Sequence, residues 1–328
     1  MLYLIKEVLD MSVRMRGWII NTEDLTEKLL DTLAENGINE LGIHPGGGRA
    51  AGRLLDETAR VWETEKYRAL LKKARALGIK AELEAHVLSR LLPRELFGAH
   101  PDWFRADETG TRVNDFNLCV SSEEALACVS DRAYETAKRF ATDSHRYAFW
   151  PDDVNGYFCK CPACRELSVS DQALLITNAI LRGVRHFDPQ GIVGYLAYYE
   201  TMSVPTRVKP LPGVYLEYAP IDRDSSKPIY APENAHCAAG IRPLLDFFGT
   251  ENARVLEYWV DNSRFSDWKR PPKPMTLNED VMRRDVEYYT SLGFIDMTSF
   301  ACFLGEDYRA LYGEPPIPRY AGILRERK

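Results

Sequence analysis

The sequence predicts a (β/α)8 TIM barrel with long loops at its C-terminal face. Short apolar runs alternate with amphipathic helical patterns along the whole chain, and eight such runs can be counted. The 328 residues supply about 41 residues for each strand–helix unit, which is generous for this fold and leaves length for loops. A doubly wound open sheet is the alternative fold. A single domain over residues 1–328 is the preferred organisation.

Each predicted strand is an apolar run that ends at polar or turn-forming residues. The eight runs are residues 17–20, 38–43, 79–85, 147–151, 192–199, 214–219, 253–260 and 294–300. Between them, apolar residues recur at helical spacing. The predicted helices are residues 23–35, 64–77, 131–142, 171–185, 238–248 and 278–292. Capping residues at 21–24 and 168–170 start two of them, and residues 88–125 read as an irregular excursion over the barrel mouth.

Composition and charge narrow the classes of partner. The chain carries a net charge of −6 and is 45% hydrophobic, which argues against a nucleic acid or a phosphate-rich membrane surface as partner. No apolar run reaches the ~18 residues that span a bilayer. Residues 1–10 become charged too early for a secretory signal, and seven cysteines fit a reducing compartment. We therefore expect a cytoplasmic protein unless a leader has been removed. The oligomeric state stays open, a homo-oligomer included.

In a TIM barrel the last residues of all strands converge on one mouth. Carboxylates and flat aromatic rings placed there suit sugars, because rings pack on the C–H face of a pyranose and carboxylates bind hydroxyls. Many of these aromatic residues could equally be core. The polar residues at predicted strand ends are His44, Glu84, His86, Asp152, Asp153, Glu200, Glu217, Arg223, Glu257, Asp261 and Thr298.

Three carboxylates are the candidates for catalysis. Asp152 and Asp153 follow the fourth strand, and Glu200 closes the fifth. Neighbours on an extended segment point in opposite directions, so we expect only one aspartate to face the substrate. The competing interpretations are that the two aspartates belong to an ordinary turn and that Glu200 is a solvent-exposed residue at the rim of the barrel. The residues expected to bind hydroxyls or stack on the ring are His44, His86, Trp150, Tyr199, Arg223, Glu257 and Trp259.

Cys159, Cys161 and Cys164 offer three thiolates, one short of a tetrahedral zinc site. The candidates for a distant fourth ligand are Cys119, Cys128 and His145. The pattern supports a structural zinc site and reduced structural thiols equally, and it supports a redox role less. No cofactor is expected for catalysis. The glycines of residues 44–49 lack phosphate-loop spacing, and we expect them to let the backbone approach a ligand.

One segment carries a family resemblance. Phe149-Trp-Pro-Asp-Asp153, Gly156-Tyr-Phe-Cys159-x-Cys161-x-x-Cys164 and Ser168-Val-Ser-Asp-Gln172 together resemble the bacterial domain of unknown function 4838 proteins. Supporting pieces are His100-Pro-Asp-Trp-Phe104, Asn117-Leu-Cys-Val-Ser121 and a Tyr-Ala-Pro-x-x-Arg pattern ending at Arg223. The likeness covers most of residues 80–225.

The resemblance implies a (β/α)8 glycosidase of glycoside hydrolase family 163. It implies endo-acting N-acetylglucosaminidase activity on N-glycans, with retention by the substrate's own acetamido group, as in family 20 hexosaminidases. Family 20 enzymes carry an adjacent Asp-Glu pair after strand four, where this chain has Asp152 and Asp153.

Our hypothesis is a retaining glycoside hydrolase for a 2-acetamido sugar or related glycoside. Asp153 acts as general acid/base or orients the acetamide, and Glu200 takes the complementary role. A classical two-carboxylate glycosidase is the alternative mechanism. Two other classes stay open: a catalytically silent carbohydrate-binding barrel, and a metal-dependent barrel enzyme using His44, Glu84 and His86.

Overall fold

A computed structural model describes residues 13–326. Eight parallel strands follow one another in chain order around a closed barrel, so the predicted (β/α)8 fold is confirmed. Strands of such a barrel are buried on both faces, which explains why each predicted run is almost continuously apolar. The strands are β1 (Met15–Asn21), β2 (Glu40–His44), β3 (Lys80–His86), β4 (Arg146–Trp150), β5 (Ile192–Ala197), β6 (Val214–Tyr218), β7 (Arg254–Glu257) and β8 (Asp296–Ser299).

Helices occupy the connections between the strands and the C-terminal segment. They are α1 (Glu27–Glu35), α2 (Ala51–Trp62), α3 (Glu65–Ala76), α4 (Leu88–Leu91), α5 (Glu123–Arg139), α6 (Val169–Phe187), α7 (Ala235–Ala238), α8 (Ile241–Phe248), α9 (Asn262–Phe265), α10 (Glu279–Ser291), α11 (Glu306–Tyr312) and α12 (Ile317–Arg325).

The chain divides into two compact units. The first comprises residues 13–44, 65–81 and 217–326, and the second comprises residues 45–64 and 82–216. The expectation of a single domain stays a prediction. Residues 1–10, on which the expectation about a leader rests, lie outside the described residues.

In the second unit, strand register places two strand ends side by side. Strands β3 and β4 are parallel, with Ala85 opposite Phe149 and His86 opposite Trp150. Both strands therefore end at the same edge of the barrel, and the chain leaves β4 directly into Pro151, next to His86. This edge carries the candidate site.

Several helix boundaries differ from the predicted ones for local reasons. The first helix begins at Glu27, not at residue 23, because Thr26 is its N-cap and accepts a hydrogen bond from Leu29 N at 3.2 Å. The predicted helix at 131–142 instead runs over Glu123–Arg139, since Ser122 caps it by accepting from Ala125 N. Helices α2, α4, α7, α9, α11 and α12 were not predicted. The Ser168 cap is confirmed and forms a full capping box with Asp171.

In the first unit, Asp24 is a buried carboxylic acid that follows β1. Burial raises its pKa from 3.8 to about 7, repulsion from Glu23 adds to the rise, and attraction to Arg270 opposes it. The folded state therefore holds a proton that the unfolded chain has released between pH 3.8 and about 7. The stability that this proton contributes is fully present below pH 3.8, and it is lost as the pH rises to about 7.

We expect Asp24→Asn to flatten this pH dependence. For one proton the free energy of unfolding changes by at most about 1.4 kcal/mol per pH unit. Chemical denaturation at several pH values between about 4 and 7 should show a smaller decline with rising pH in the variant than in the wild type. An identical slope in both proteins would show that Asp24 does not take up this proton on folding.

Candidate active site

The site is built from the ends of β3, β4 and β5, all in the second unit. His86 closes β3 and its ring packs edge-on against Trp150, with ring centroids 5.1 Å apart. His86 Nδ1 lies 2.6 Å from the Pro151 carbonyl oxygen. A carbonyl oxygen only accepts hydrogen bonds, so Nδ1 carries the proton and donates it to Pro151. This bond fixes the ring and directs Nε2 toward Asp153, 3.8 Å from its Oδ1.

Asp153 is held at both carboxylate oxygens. The Gly48 amide donates to Oδ2 at 2.5 Å, and the Tyr198 hydroxyl donates to Oδ1 at 3.1 Å. The side chain is 21% exposed, so it is shielded but still reachable from solvent. Hydrogen bonds that end on a carboxylate stabilise its charged form. Asp153 is therefore a carboxylate whose two oxygens are both held in place.

The glycines after β2 approach this carboxylate closely. A Cβ atom on Gly47 would overlap Asp153 Oδ2, while the backbone of Gly47 itself is extended and available to any residue. Gly48 has a φ of 67°, in the left-handed region that favours glycine. The sequence predicts that these glycines let the backbone approach a ligand. In the structure their neighbour is the carboxylate of Asp153.

We expect Gly47→Ala to displace Asp153. For the glycosidase activity proposed below, this should lower kcat about 10- to 100-fold, because small misplacements of a reacting group are costly. The free energy of unfolding should change little, since the extended backbone of Gly47 is also available to alanine. The matched control is Gly98→Ala, whose added methyl meets no atom within 4 Å. Steady-state kinetics and denaturation of both variants test this. Equal kcat in the two variants would remove the argument for a precisely placed Asp153.

The carboxylate of Asp152 has different partners from that of Asp153, although the chain already turns here, with the Val154 amide 2.9 Å from the Asp152 carbonyl oxygen. Its Oδ2 accepts from Arg94 Nη2 at 2.9 Å and from the Asn117 amide at 2.7 Å. The Asn117 side chain in turn accepts from the Asp152 amide at 3.2 Å and donates to the Tyr157 carbonyl oxygen at 3.1 Å. With its side chain only 6% exposed, Asp152 joins the loop after β4 to the excursion after β3.

Glu200 sits in a short 3-10 turn, Tyr199–Thr201, after β5. Tyr199 has a φ of 45°, an uncommon conformation for a residue with a side chain. The Thr201 hydroxyl donates to the Leu196 carbonyl oxygen at 2.8 Å and holds the turn against the strand. Glu200 Oε1 accepts from the Gly156 amide at 2.7 Å. One cleft is lined by Glu200 together with His86, Asp152, Tyr198 and Tyr199. Asp153 lies behind this lining and is joined to it by the hydrogen bond from Tyr198.

Three predicted sugar ligands lie instead in a buried ionic cluster of the first unit. Arg223 Nη1 is 2.5 Å from Glu257 Oε1 and 2.6 Å from Asp285 Oδ2. Trp259 Nε1 donates to the same Asp285 oxygen at 2.9 Å, and the Tyr289 hydroxyl donates to Glu257 at 2.6 Å. Burial, followed by repulsion from Glu257, raises the pKa of Asp285 to about 6. Polar atoms of Arg223, Glu257 and Trp259 are thus engaged within the protein.

The remaining predicted residues are placed as follows. His44 ends β2 and packs edge-on against Phe300, with ring centroids 5.0 Å apart. Tyr199 packs edge-on against Tyr198 at 4.4 Å. Asp285 and Tyr289 were missed by sequence reasoning because they lie inside α10, where helical periodicity reads them as ordinary face residues. The two groups that donate to Asp153, the Gly48 amide and the Tyr198 hydroxyl, were not predicted. A backbone amide is present at almost every residue, so the sequence does not show which one donates.

Four cysteines of the second unit converge. The Sγ atoms of Cys119, Cys159, Cys161 and Cys164 all lie within 4.8 Å of one another, and all four residues are buried. Within residues 13–326 this is the only group of three or more histidine, cysteine or acidic residues placed to share a metal ion. The other two candidates for the fourth position lie elsewhere, because Cys128 donates to the Leu91 carbonyl oxygen and His145 pairs with Asp188 at 2.8 Å.

The family model described as "Domain of unknown function (DUF4838)" matches residues 56–263. This is more than half of the chain. The chain belongs to the DUF4838 family. No curated protein sequence matches it.

Solved structures similar to this DUF4838 chain are glycoside hydrolases. One is a mutant O-GlcNAc hydrolase of Thermobaculum terrenum, with a TM-score of 0.55, 11% identity, and coverage of 95% of this chain and 59% of that one. Another is a tri-modular GH5 endo-β-1,4-glucanase from Bacillus licheniformis, with a TM-score of 0.52, 12% identity, and coverage of 98% and 60%. The third is a GH20 catalytic module of the pneumococcal exo-β-D-N-acetylglucosaminidase StrH, with a TM-score of 0.50, 10% identity, and coverage of 98% and 86%.

At these identities the likeness establishes the barrel fold alone. The DUF4838 chain spans about three fifths of the length of the first two proteins. Across residues 13–326, every helix is too short or too polar to cross a bilayer.

Proposed function

We propose that this DUF4838 protein is a glycoside hydrolase that acts on a 2-acetamido sugar with retention of configuration. The observation that carries the proposal is the environment of Asp153. At the end of β4 its carboxylate is fixed by Gly48 and Tyr198, with His86 Nε2 at 3.8 Å and Glu200 on the neighbouring strand end. The barrel fold shared with the similar hydrolases supports the same class, since active sites of TIM-barrel enzymes lie at the C-terminal face of the barrel.

The two carboxylates are held differently, and this difference assigns their roles. Asp153 receives hydrogen bonds at both oxygens, and such bonds stabilise the negative charge of a carboxylate. Such a group suits the task of orienting an acetamide and stabilising positive charge on it. Glu200 is a longer side chain at the edge of the cleft and accepts from the Gly156 amide. We assign it the exchange of protons with the glycosidic oxygen and with water.

The proposed reaction has two steps. In the first, Glu200 donates a proton to the glycosidic oxygen, the C1–O bond breaks, and the acetamido oxygen of the substrate bonds to C1. The resulting oxazolinium ion is positively charged beside Asp153, which stabilises it electrostatically. In the second, Glu200 takes a proton from water as the water oxygen bonds to C1 and the oxazolinium ring opens. Two inversions at C1 give overall retention.

His86 is proposed to position Asp153 and to take no proton from the substrate. Its Nδ1–H bond to Pro151 anchors the first residue after β4, and its Nε2 faces the carboxylate. Asp152 anchors the same loop from the other side through Arg94 and Asn117. The loop that carries Asp153 is thus fixed on both flanks, which a preorganised site requires.

The mechanism is tested with aryl glycosides whose 2-acetamido group is replaced by 2-trifluoroacetamido. An electron-poor acyl oxygen is a weaker nucleophile, so kcat/KM should fall steeply if the substrate supplies the nucleophile. NMR of the fresh product should show the retained anomer first. An unchanged kcat/KM with retention would instead assign Asp153 as a protein nucleophile, and an inverted product would exclude both retaining mechanisms. Binding of sugars without hydrolysis of any glycoside would indicate a carbohydrate-binding barrel and overturn the proposal.

A further inference from the structure

We propose that Cys119, Cys159, Cys161 and Cys164 bind one structural zinc ion. The Sγ atom of Cys119 is 3.7 Å from that of Cys161 and 3.8 Å from that of Cys164. A zinc ion bonded to four sulfurs at about 2.3 Å separates them by about 3.8 Å when the geometry is tetrahedral. A disulfide would bring two sulfurs to about 2.05 Å. These two distances match a tetrathiolate site, and all four sulfurs lie within 4.8 Å of one another. The two distances exclude a disulfide between Cys119 and either Cys161 or Cys164.

The backbone around the cysteines is already held in place. The Cys159 Sγ accepts from the Ala106 amide at 3.3 Å. The Gln172 side chain of α6 accepts from the Cys159 amide at 3.1 Å and donates to the carbonyl oxygens of Cys159 and Cys164, each at 3.2 Å. Polar groups that orient the ligands in this way are a general feature of metal sites, where they fix the position of each donor atom.

The surroundings also suit a cluster with excess negative charge. Four thiolates and one Zn²⁺ carry a net charge of −2. Arg112 Nη1 lies 3.8 Å from the Cys159 Sγ, and the same nitrogen donates to the Phe104 carbonyl oxygen at 2.7 Å. The Ser121 hydroxyl lies 3.0 Å from the Cys119 Sγ and 3.6 Å from the Cys161 Sγ. A guanidinium and a hydroxyl therefore border the sulfurs without entering the group.

Reduced buried thiols are the competing explanation, because free cysteine behaves as a small apolar residue. Two features favour the metal. The sulfurs come from two segments about forty residues apart and yet all lie within 4.8 Å of one another, with those of Cys119 and Cys161 at 3.7 Å. The chain has three further cysteines, Cys128, Cys237 and Cys302, and none of them belongs to the group. A closed set of four protein ligands leaves no open position, which is the arrangement of structural and not catalytic zinc.

The zinc would tie the loop that carries Asp153 to the excursion that carries Cys119. Two residues before Cys119, Asn117 bonds to Asp152 through its amide and to Tyr157 through its side chain. Loss of the metal should therefore loosen the segment around Asp153 as well as lower stability. This functional consequence rests on the proposed glycosidase activity, but the metal site itself does not.

Metal analysis of the purified full chain, grown with zinc and kept reduced, tests the site directly. We expect close to one zinc per chain, released by a mercurial reagent, and none retained by Cys119→Ser. The matched control Cys128→Ser, in the same unit but outside the group, should retain the metal. Replacement of zinc by Co²⁺ should give the intense visible bands of a tetrahedral cobalt thiolate, a readout that needs no activity and identifies the ligands. Zinc-free protein with seven titratable thiols, or stoichiometric iron, would overturn the assignment.

The metal and the activity can fail independently. Zinc at the cysteines in a protein that hydrolyses no glycoside would leave the metal site supported and the proposed function overturned. Hydrolysis by a metal-free, fully reduced protein would support the proposed function and overturn the metal site. In an active protein, Cys119→Ser should lower both Tm and kcat, whereas Cys128→Ser should leave kcat within about twofold of the wild type.

Discussion

Replacing Asp153 with asparagine is expected to lower kcat/KM by about 1,000-fold, within the range that one positioned acid/base or charge-stabilising group contributes. The substitution keeps the size of the side chain and removes its charge. A neutral amide cannot stabilise an oxazolinium ion, and its NH₂ group would meet either the Gly48 amide or the Tyr198 hydroxyl. Folding should be affected little, because the side chain is partly exposed. Steady-state kinetics with an aryl glycoside provide the measurement.

The matched control for this prediction is Asp152→Asn. This variant also replaces an aspartate with asparagine, one position earlier in the chain. It removes the negative charge that pairs with Arg94, whose side chain is 20% exposed. Breaking a mostly buried pair leaves a charge uncompensated and should cost about 3 kcal/mol of stability. We therefore expect Asp152→Asn to lower the free energy of unfolding and Asp153→Asn to lower catalysis. If the two variants showed the opposite pattern, Asp152 and not Asp153 would be the site carboxylate.

Arg223→Met is expected to destabilise the first unit by about 4 kcal/mol at neutral pH. Methionine fills a similar volume but leaves Glu257 and Asp285 buried without the cation that both contact. Removal of one member of a buried ionic cluster costs ~3–5 kcal/mol. The loss should be smaller in acid. Burial, together with repulsion from Glu257, already raises the pKa of Asp285 to about 6, so protonation below that value relieves part of the uncompensated charge.

Urea denaturation at about pH 5 and pH 7 tests this prediction, with the larger loss expected at the higher pH, where the Asp285 carboxyl loses its proton. The same substitution at Arg53 is the control. Arg53 and its partner Glu57 are 66% and 46% exposed, and exposed pairs of this kind contribute at most about 1 kcal/mol. Equal effects of the two substitutions, or a loss for Arg223→Met that does not depend on pH, would contradict the description of this cluster.

The sequence was sufficient to predict the barrel because each strand can be recognised from its own few residues. Each strand is a short apolar run bounded by polar residues, and β4 and β6 lie within one residue of their predicted bounds. Helix starts were harder to predict where a cap competes with nearby polar residues. Thr26 caps α1 although residues 21–24 look equally suitable, because residues 22–24 form a separate 3-10 turn.

The site was predictable only in part, since its geometry depends on contacts distant in sequence. An extended segment after β4 would make Asp152 and Asp153 diverge; the chain turns at this point, and the two carboxylates have different partners. Which of them contacts Gly48 and Tyr198 depends on residues that lie 105 and 45 positions away in the sequence. Arg223 and Glu257 looked like sugar ligands because they follow strands. Their partner Asp285 lies inside a helix, where the sequence pattern does not distinguish it from a surface residue.

The central claim is that Asp153 and Glu200 are the two carboxylates of a glycosidase site. The most direct measurement is kcat/KM of the wild type, Asp153→Asn and Glu200→Gln against a panel of aryl glycosides with and without a 2-acetamido group. We predict hydrolysis of 2-acetamido substrates by the wild type and a loss of about 100-fold or more in each variant. Full activity in both variants would contradict the claim.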